Sequence, residues 1–270
     1  MTTIDIDKAW DKLHTRLEDE NLLVGTTKKI PYIIKIQRIA AVMILFIIGG
    51  AFAVYFSLKE NEQLISIHNN DNFNTLVSTL KDGSIVYLAS GTVLLHPEKF
   101  AADKRYVSLQ GEARFNVQSD KKCPFIIDTQ TATVEVTGTE FNVKSTENNS
   151  FELYVMSGSV IVTLKSTEIS YQVESGEMVC LNNNQLQKSL LQNPANYTEK
   201  MKFKDERLDN IVKVINTLSD KQIVFADNEF KNYEMTITFS NNTIIEMVRL
   251  LCETFDLNYS ENENEIVIYR

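Results

Sequence analysis

Val107-Ser108-Leu109-Gln110-Gly111-Glu112-Ala113-Arg114-Phe115-Asn116-Val117 alternates apolar and polar residues on both sides of a single glycine. Val107 and Leu109 fall on one face of a pleated strand, and so do Ala113, Phe115 and Val117, because side chains two apart share a face. The same period recurs at Val134 and Val136 and at Phe151, Leu153 and Val155. Gly83, Gly91, Gly111, Gly138, Gly158 and Gly176 divide these runs and are read as turn residues between short strands. From Leu80 to Leu181 the pattern is β throughout, which predicts an all-β sandwich or roll.

After Gly176 the chain contains no further glycine, and its period changes. The stretch from Asn182-Asn183-Asn184-Gln185 to Pro194 reads as a polar turn and linker. Beyond it, Met201-Lys202-Phe203 reads as a strand. Leu208, Ile211, Val212, Ile215 and Leu218 keep helical spacing, and Ile223-Val224-Phe225 reads as a second strand. The order repeats, with Met235–Phe239 as strand, Ile244–Phe255 as helix, and Leu257–Tyr259 and Glu265–Tyr269 as strands. This predicts a small α+β domain of two β-α-β units. An open sheet edge is expected near Ile266–Tyr269, where another strand could add.

Upstream of the β region, residues 39–58 read IAAVMILFIIGGAFAVYFSL without a charge. At about 1.5 Å of rise per residue, some twenty apolar residues match a hydrocarbon core about 30 Å thick. Ala51-Phe52-Ala53 resembles a leader cleavage site, but a leader places its apolar run after a short basic start, and here a polar stretch of residues 1–38 comes first. A single membrane-spanning helix is therefore expected. Lys28, Lys29, Lys35 and Arg38 precede it and only Lys59 follows closely, so the N-terminal side is expected in the cytoplasm and the C-terminal side outside. The expected organisation is a cytoplasmic tail (1–38), a span in contact with membrane lipid (39–58), an all-β domain (59–190) and an α+β domain (191–270).

In the tail, Ile6, Trp10, Leu13 and Leu17 form one apolar stripe of a short helix, with Asp5 as its N-cap. A helix this short is marginal alone. Its polar face carries Asp7, Asp11, Glu18 and Asp19 among its lysines, whereas helices that lie on membranes usually have basic polar faces. The stripe therefore points to a groove on a protein partner.

A net charge of −9 argues against a phosphate-binding surface and against direct nucleic-acid contact. Cys123, Cys180 and Cys252 show no zinc spacing, and a Cys123–Cys180 bond stays open as one alternative to buried thiols. His14, His68 and His96 are scattered, and no metalloprotease, nucleophile-elbow or phosphate-loop motif occurs. No catalytic residue, metal site or cofactor is expected.

The middle region resembles the FecR family of transmembrane anti-sigma factors. The resemblance rests on Leu80-Lys81-Asp82-Gly83-Ser84, on Val107 to Glu112-Ala113 with Phe115 and Val117, and on Val136-Thr137-Gly138-Thr139 with Phe141-Asn142-Val143. Arg105, Pro124-Phe125 and Gly158 fall in order between and after these blocks. The motif residues carried over are Asp82, Gly83, Ser84, Gly111, Glu112, Gly138, Thr139 and Phe141. The last 70 or so residues resemble the domain that follows in Bacteroidetes members, which is similar to the short N-terminal domain of secretins and TonB-dependent transducers. The resemblance implies a relay in the bacterial inner membrane. An extracytoplasmic-function sigma factor would be held by Ile6, Trp10, Leu13 and Leu17, and an outer-membrane TonB-dependent transducer would be met in the periplasm. Many relatives carry a larger cytoplasmic domain, so here the sigma contact would fall on that stripe. The rival readings are an anchored periplasmic binding or scaffold module without a sigma partner, and an enzyme with an unmarked cleft.

Overall fold

The computed structural model describes residues 6–20, 43–52, 64–146, 150–189 and 196–270. The chain divides into two compact units, Met1–Asn61 and Glu62–Arg270. In the first, α1 spans Ile6–Asp19 and residues 43–52 form a second helix, α2, whose side chains are all exposed. The expected cap Asp5, residues 39–42 and 53–58 of the expected span, and its flanking lysines and Arg38 lie outside the described residues. Among the described residues no helix is long and apolar enough to cross a membrane.

The second unit is mostly β structure in two layers, with strands numbered along the chain. The first layer runs in space β1 (Leu64–His68), β4 (Val93–Pro97), β5 (Arg105–Asn116), β6 (Phe125–Asp128), β7 (Ala132–Val136), β10 (Ser159–Leu164) and β11 (Ser170–Glu174). The second runs β13 (Gln185–Ser189), β12 (Met178–Asn182), β9 (Ser150–Ser157), β8 (Glu140–Thr146), β5 again, β3 (Ile85–Leu88), β2 (Thr75–Thr79), β14 (Lys200–Arg207) and β16 (Glu234–Ser240).

Strand β5 belongs to both layers. Arg105–Ser108 pair with β6 and Ser108–Gln110 with β4, whereas Gly111–Asn116 pair with β8. Gly111 is thus the corner at which one strand passes between layers, not a turn between two strands. Its φ of +114° and the Thr92 Cα at 2.9 Å from where a Cβ would sit leave room only for glycine. Between the layers lies one core that includes Leu109, Ala113, Phe115, Phe125, Phe141, Phe151 and Val162.

Asn183 and Asn184, both with positive φ, turn β12 directly back into β13. Asn in consecutive left-handed positions suits the two-residue hairpin turn, so part of the expected linker is a hairpin. The three cysteines are free: Cys180 lies on β12, and Cys123 lies in the loop before β6, so the alternative Cys123–Cys180 bond is not formed.

In the last part of the chain, α3 (Leu208–Asn216) follows β14, and α4 (Ile244–Phe255) follows β16. Helix α4 opens on a capping box, with Thr243 Oγ1 accepting from the Glu246 amide at 3.3 Å and the Glu246 carboxylate accepting from the Thr243 amide at 2.8 Å. These bonds hold the Glu246 carboxyl below its ordinary value. The two β-α-β units split between sheets. Their first strands, β14 and β16, pair with each other in the large sheet. The later strands form a separate sheet in the order β15 (Gln222–Phe225), β18 (Glu265–Tyr269), β17 (Asn258–Glu261). The expectation of an open edge at Ile266–Tyr269 is therefore overturned, since β18 is the central strand with partners on both sides. The outer edge of β15 is closed by Asn216, whose amide donates to the Ile223 carbonyl at 3.0 Å and accepts from its N–H at 2.7 Å. A side chain that copies a strand's bonding pattern guards an edge against pairing.

All four residues of β3 are buried, and alternation sends them to two cores. Val86 and Leu88 face the core between the layers, while Ile85 and Tyr87 face a second core with Met201, Phe203, Ile211, Ile215 and Val248.

Candidate functional site

Helix α1 presents the apolar stripe expected of it. Ile6 is 70% exposed, Trp10 63% and Leu13 48%, Leu17 is half-buried, and no residue of the helix is buried. Asp7 in the first turn and Arg16 in the last complement the helix dipole. Thr15 donates back to the Asp11 carbonyl at 2.8 Å, and His14 stands 3.9 Å from Glu18 one turn on. An indole and two aliphatic chains are thus exposed on one face of the helix.

The family-type residues of the second unit are assembled as braces. The Asp82 carboxylate accepts from the Ser84 amide at 3.0 Å and from the Ser84 hydroxyl at 2.6 Å, closing the turn into β3. It also receives Arg105 Nη1 at 2.8 Å. Arg105, 4% exposed, reaches the Gln118 carbonyl at 2.8 Å with the same nitrogen and the Cys123 carbonyl at 3.0 Å with Nε. Gly83, with φ +85°, leaves its carbonyl free to accept from Lys213 Nζ of α3 at 2.6 Å.

The second block is tied in the same manner. The Glu112 carboxylate accepts from the Tyr197 hydroxyl at 2.9 Å and faces Lys144 at 3.4 Å. Burial and the neighbouring carboxylate push the Tyr197 phenol well above its ordinary range. In the third block, Thr139 donates to the Ser159 carbonyl at 2.9 Å, Gly138 lies against Ser119, and Phe141 stacks on Phe115 with centroids 5.5 Å apart. The structure thus brings Asp82, Gly83 and Ser84 into one cluster and Glu112 into another, with Gly138, Thr139 and Phe141 at a third place. Sequence reading missed Lys213, Tyr197 and Tyr87. Lys213 bonds across 130 residues of chain and Tyr197 across 85, and Tyr87 packs into the second core, which no local period reveals.

Where β14 meets β2, Glu206 accepts from Asn210 Nδ2 at 2.7 Å and from the Thr79 amide at 3.4 Å. Burial raises its carboxyl above the ordinary value, and the hydrogen bonds only partly oppose this. A raised carboxyl binds its proton more tightly in the folded than in the unfolded chain. Its stabilising contribution is therefore full below the ordinary carboxyl value and is lost as pH rises through the raised one. Urea unfolding from pH 4 to 8 should show the wild type losing stability relative to Glu206→Gln over that interval. Parallel curves for the two proteins would refute this.

Three clefts open on the surface of the second unit. One of about 480 Å³ is lined by Ser108, Leu109, Asp128, Thr129, Ser145 and Lys165. Another holds Asp71 beside His68 and Lys202, and the third holds Asp209 beside Lys213. The Asp71 carboxyl lies well below the usual range, held there by bonds from Asn74, the Phe73 amide and Lys202. Each of these three clefts is lined by one carboxylate, Asp128, Asp71 or Asp209. Among the described residues no group of three or more His, Cys, Asp or Glu is placed to hold a metal.

Comparison with known proteins gives two domain matches and resemblances to solved structures. The FecR protein family model matches residues 74–161, and the model of the FecR C-terminal region matches residues 200–268. A crystal structure at 2.50 Å of a candidate anti-sigma factor from Parabacteroides distasonis ATCC 8503 is 25% identical, with a TM-score of 0.45, covering 77% of this chain and 99% of that one. A second crystal structure so described from the same organism, at 1.65 Å, is 26% identical with a TM-score of 0.43 and the same coverage. No curated protein matches the chain.

Proposed function

Because the chain belongs to the FecR family, carrying both its central and its C-terminal domains, we propose that it is a sigma-factor regulator anchored in the bacterial inner membrane. The cytoplasmic partner is an extracytoplasmic-function sigma factor, and Trp10, Leu13 and Leu17 of α1, with Ile6, are its contact. The periplasmic partner is a TonB-dependent outer-membrane transducer, met by the Glu62–Arg270 unit. Residues 39–58 cross the membrane between the two. The observation that carries this reading is the uncovered apolar stripe of α1 in a chain of this family. The mechanism is linkage, in which the periplasmic contact must favour one state of the cytoplasmic contact. Strands β16 and β17 end their sheets and offer open edges for strand addition by the transducer.

The test is a pull-down of tagged full-length protein, cross-linked in its own host, beside a variant with Trp10, Leu13 and Leu17 changed to Ala. A sigma factor should come down with the wild type and be lost from the variant. With a buried aromatic anchor worth about 2 kcal/mol or more, Trp10→Ala alone should weaken binding roughly thirtyfold. Recovery of a transducer from both proteins and of a sigma factor from neither would leave an anchored binding or scaffold module in its place.

A further inference from the structure

The two family domains, matched separately over 74–161 and 200–268, are joined in the fold by more than a linker. Strand β14 of the C-terminal domain lies parallel to β2 of the central domain, with Met201 opposite Thr75 and Phe203 opposite Val77. Strand β3 carries both cores on its two faces. Tyr87, 2% exposed, packs in the C-terminal core and lies 5.6 Å under the Arg114 guanidinium. Arg114 is itself paired with Glu140 of β8 at 2.5 Å. Four polar ties cross the same seam: Lys213 to the Gly83 carbonyl, Tyr197 to Glu112, Lys202 to Asp71 at 3.1 Å, and the Thr79 amide to Glu206 at 3.4 Å.

A hinge needs a boundary that few contacts cross, and independent domains meet over modest, polar interfaces. Here the boundary is a shared sheet whose common strand is buried on both sides. We propose that the central and C-terminal domains are one rigid body, without a hinge between them, and that the periplasmic signal passes as displacement or release of that whole body. A partner that binds at β16 or β17 would thereby act on β1, the first described strand after the expected span. The route of the signal rests on the sigma-regulator reading; the single-body statement does not.

Hydrogen exchange of the full-length protein, read by mass spectrometry in rising denaturant, tests this. Amides of β3, β5 and β8 and amides of α3 and β14 should open together, with one rate and one denaturant dependence. Tyr87→Leu should speed exchange in both sets by the same factor, about tenfold or more. Lys213→Met, which removes one tie and leaves the core intact, should speed both sets equally by a smaller factor. If α3 and β14 open faster while β5 and β8 keep wild-type rates, the domains are hinged and the proposal fails. No sigma factor enters the measurement, so a failed pull-down and a failed exchange experiment refute different statements.

Discussion

Arg105→Ala is expected to lower folding stability by about 3–5 kcal/mol, the usual loss when one partner of a buried ion pair is removed. For a body of this size, at roughly 2–4 °C per kcal/mol, the melting temperature should fall by about 6–20 °C. Arg105 is 4% exposed and Asp82 12%, so the abandoned carboxylate cannot recover its hydration. The Gln118 and Cys123 carbonyls lose their donors at the same time. Asp82→Ala should cost a similar amount, since it strands the guanidinium and opens the turn at Ser84. The double variant should cost clearly less than the two singles together, because groups that leave together strand nothing. Strictly additive losses in calorimetry would show that the pair is not what holds the turn to the sheet.

Phe115→Ala should be comparably damaging, at about 3–5 kcal/mol for an aromatic side chain deleted from a closed core. Phe115 is fully buried and central to an aromatic chain, stacked on Phe141 at 5.5 Å and tilted against Phe125 at 6.1 Å. Arg105 lies over the Phe125 ring at 5.4 Å, so Phe115→Ala and Arg105→Ala touch the same group and should couple rather than add. Phe115→Leu keeps most of the volume and should retain more than half of the stability lost by the alanine variant. An alanine variant with a wild-type denaturant midpoint would mean that the two layers do not close on this residue.

Much of this architecture was legible in the chain. The alternation through Ala113, Phe115 and Val117 and through Phe151, Leu153 and Val155 identified the inward faces of β5 and β9, because one face of each strand is buried. Helix α4 follows the expected Ile244–Phe255, where an apolar stripe coincides with a Thr-x-x-Glu start. What was not legible depends on contacts between distant segments. Gly111 reads as a turn in any local window, and only the Thr92 backbone beside it makes it a corner within one strand. Ile85-Val86-Tyr87-Leu88 is a short unbroken apolar run, the mark of a strand buried on both faces, but the run does not say which distant segment covers the second face. The edge expected at Ile266–Tyr269 failed for the same reason, since a β18 residue looks alike whether it has one neighbour or two. For the candidate site, the stripe of α1 could be drawn from spacing alone, whereas the ties at Gly83 and Glu112 come from residues 130 and 85 positions away.

The sharing of β3 also imposes an order of events on the newly made chain. Val77, Ile85 and Tyr87 are synthesised about a hundred residues before Met201 and Phe203 exist to cover them. At roughly 5–20 residues per second, that interval is several seconds or longer, during which the growing central sandwich still shows a bare aromatic and aliphatic patch along β2 and β3. A chain cut short before β14 keeps that patch for good. Quality-control proteases and holdases that bind exposed apolar strands would therefore sort whole copies from broken ones by a feature of the central domain, although the damage lies in the C-terminal one.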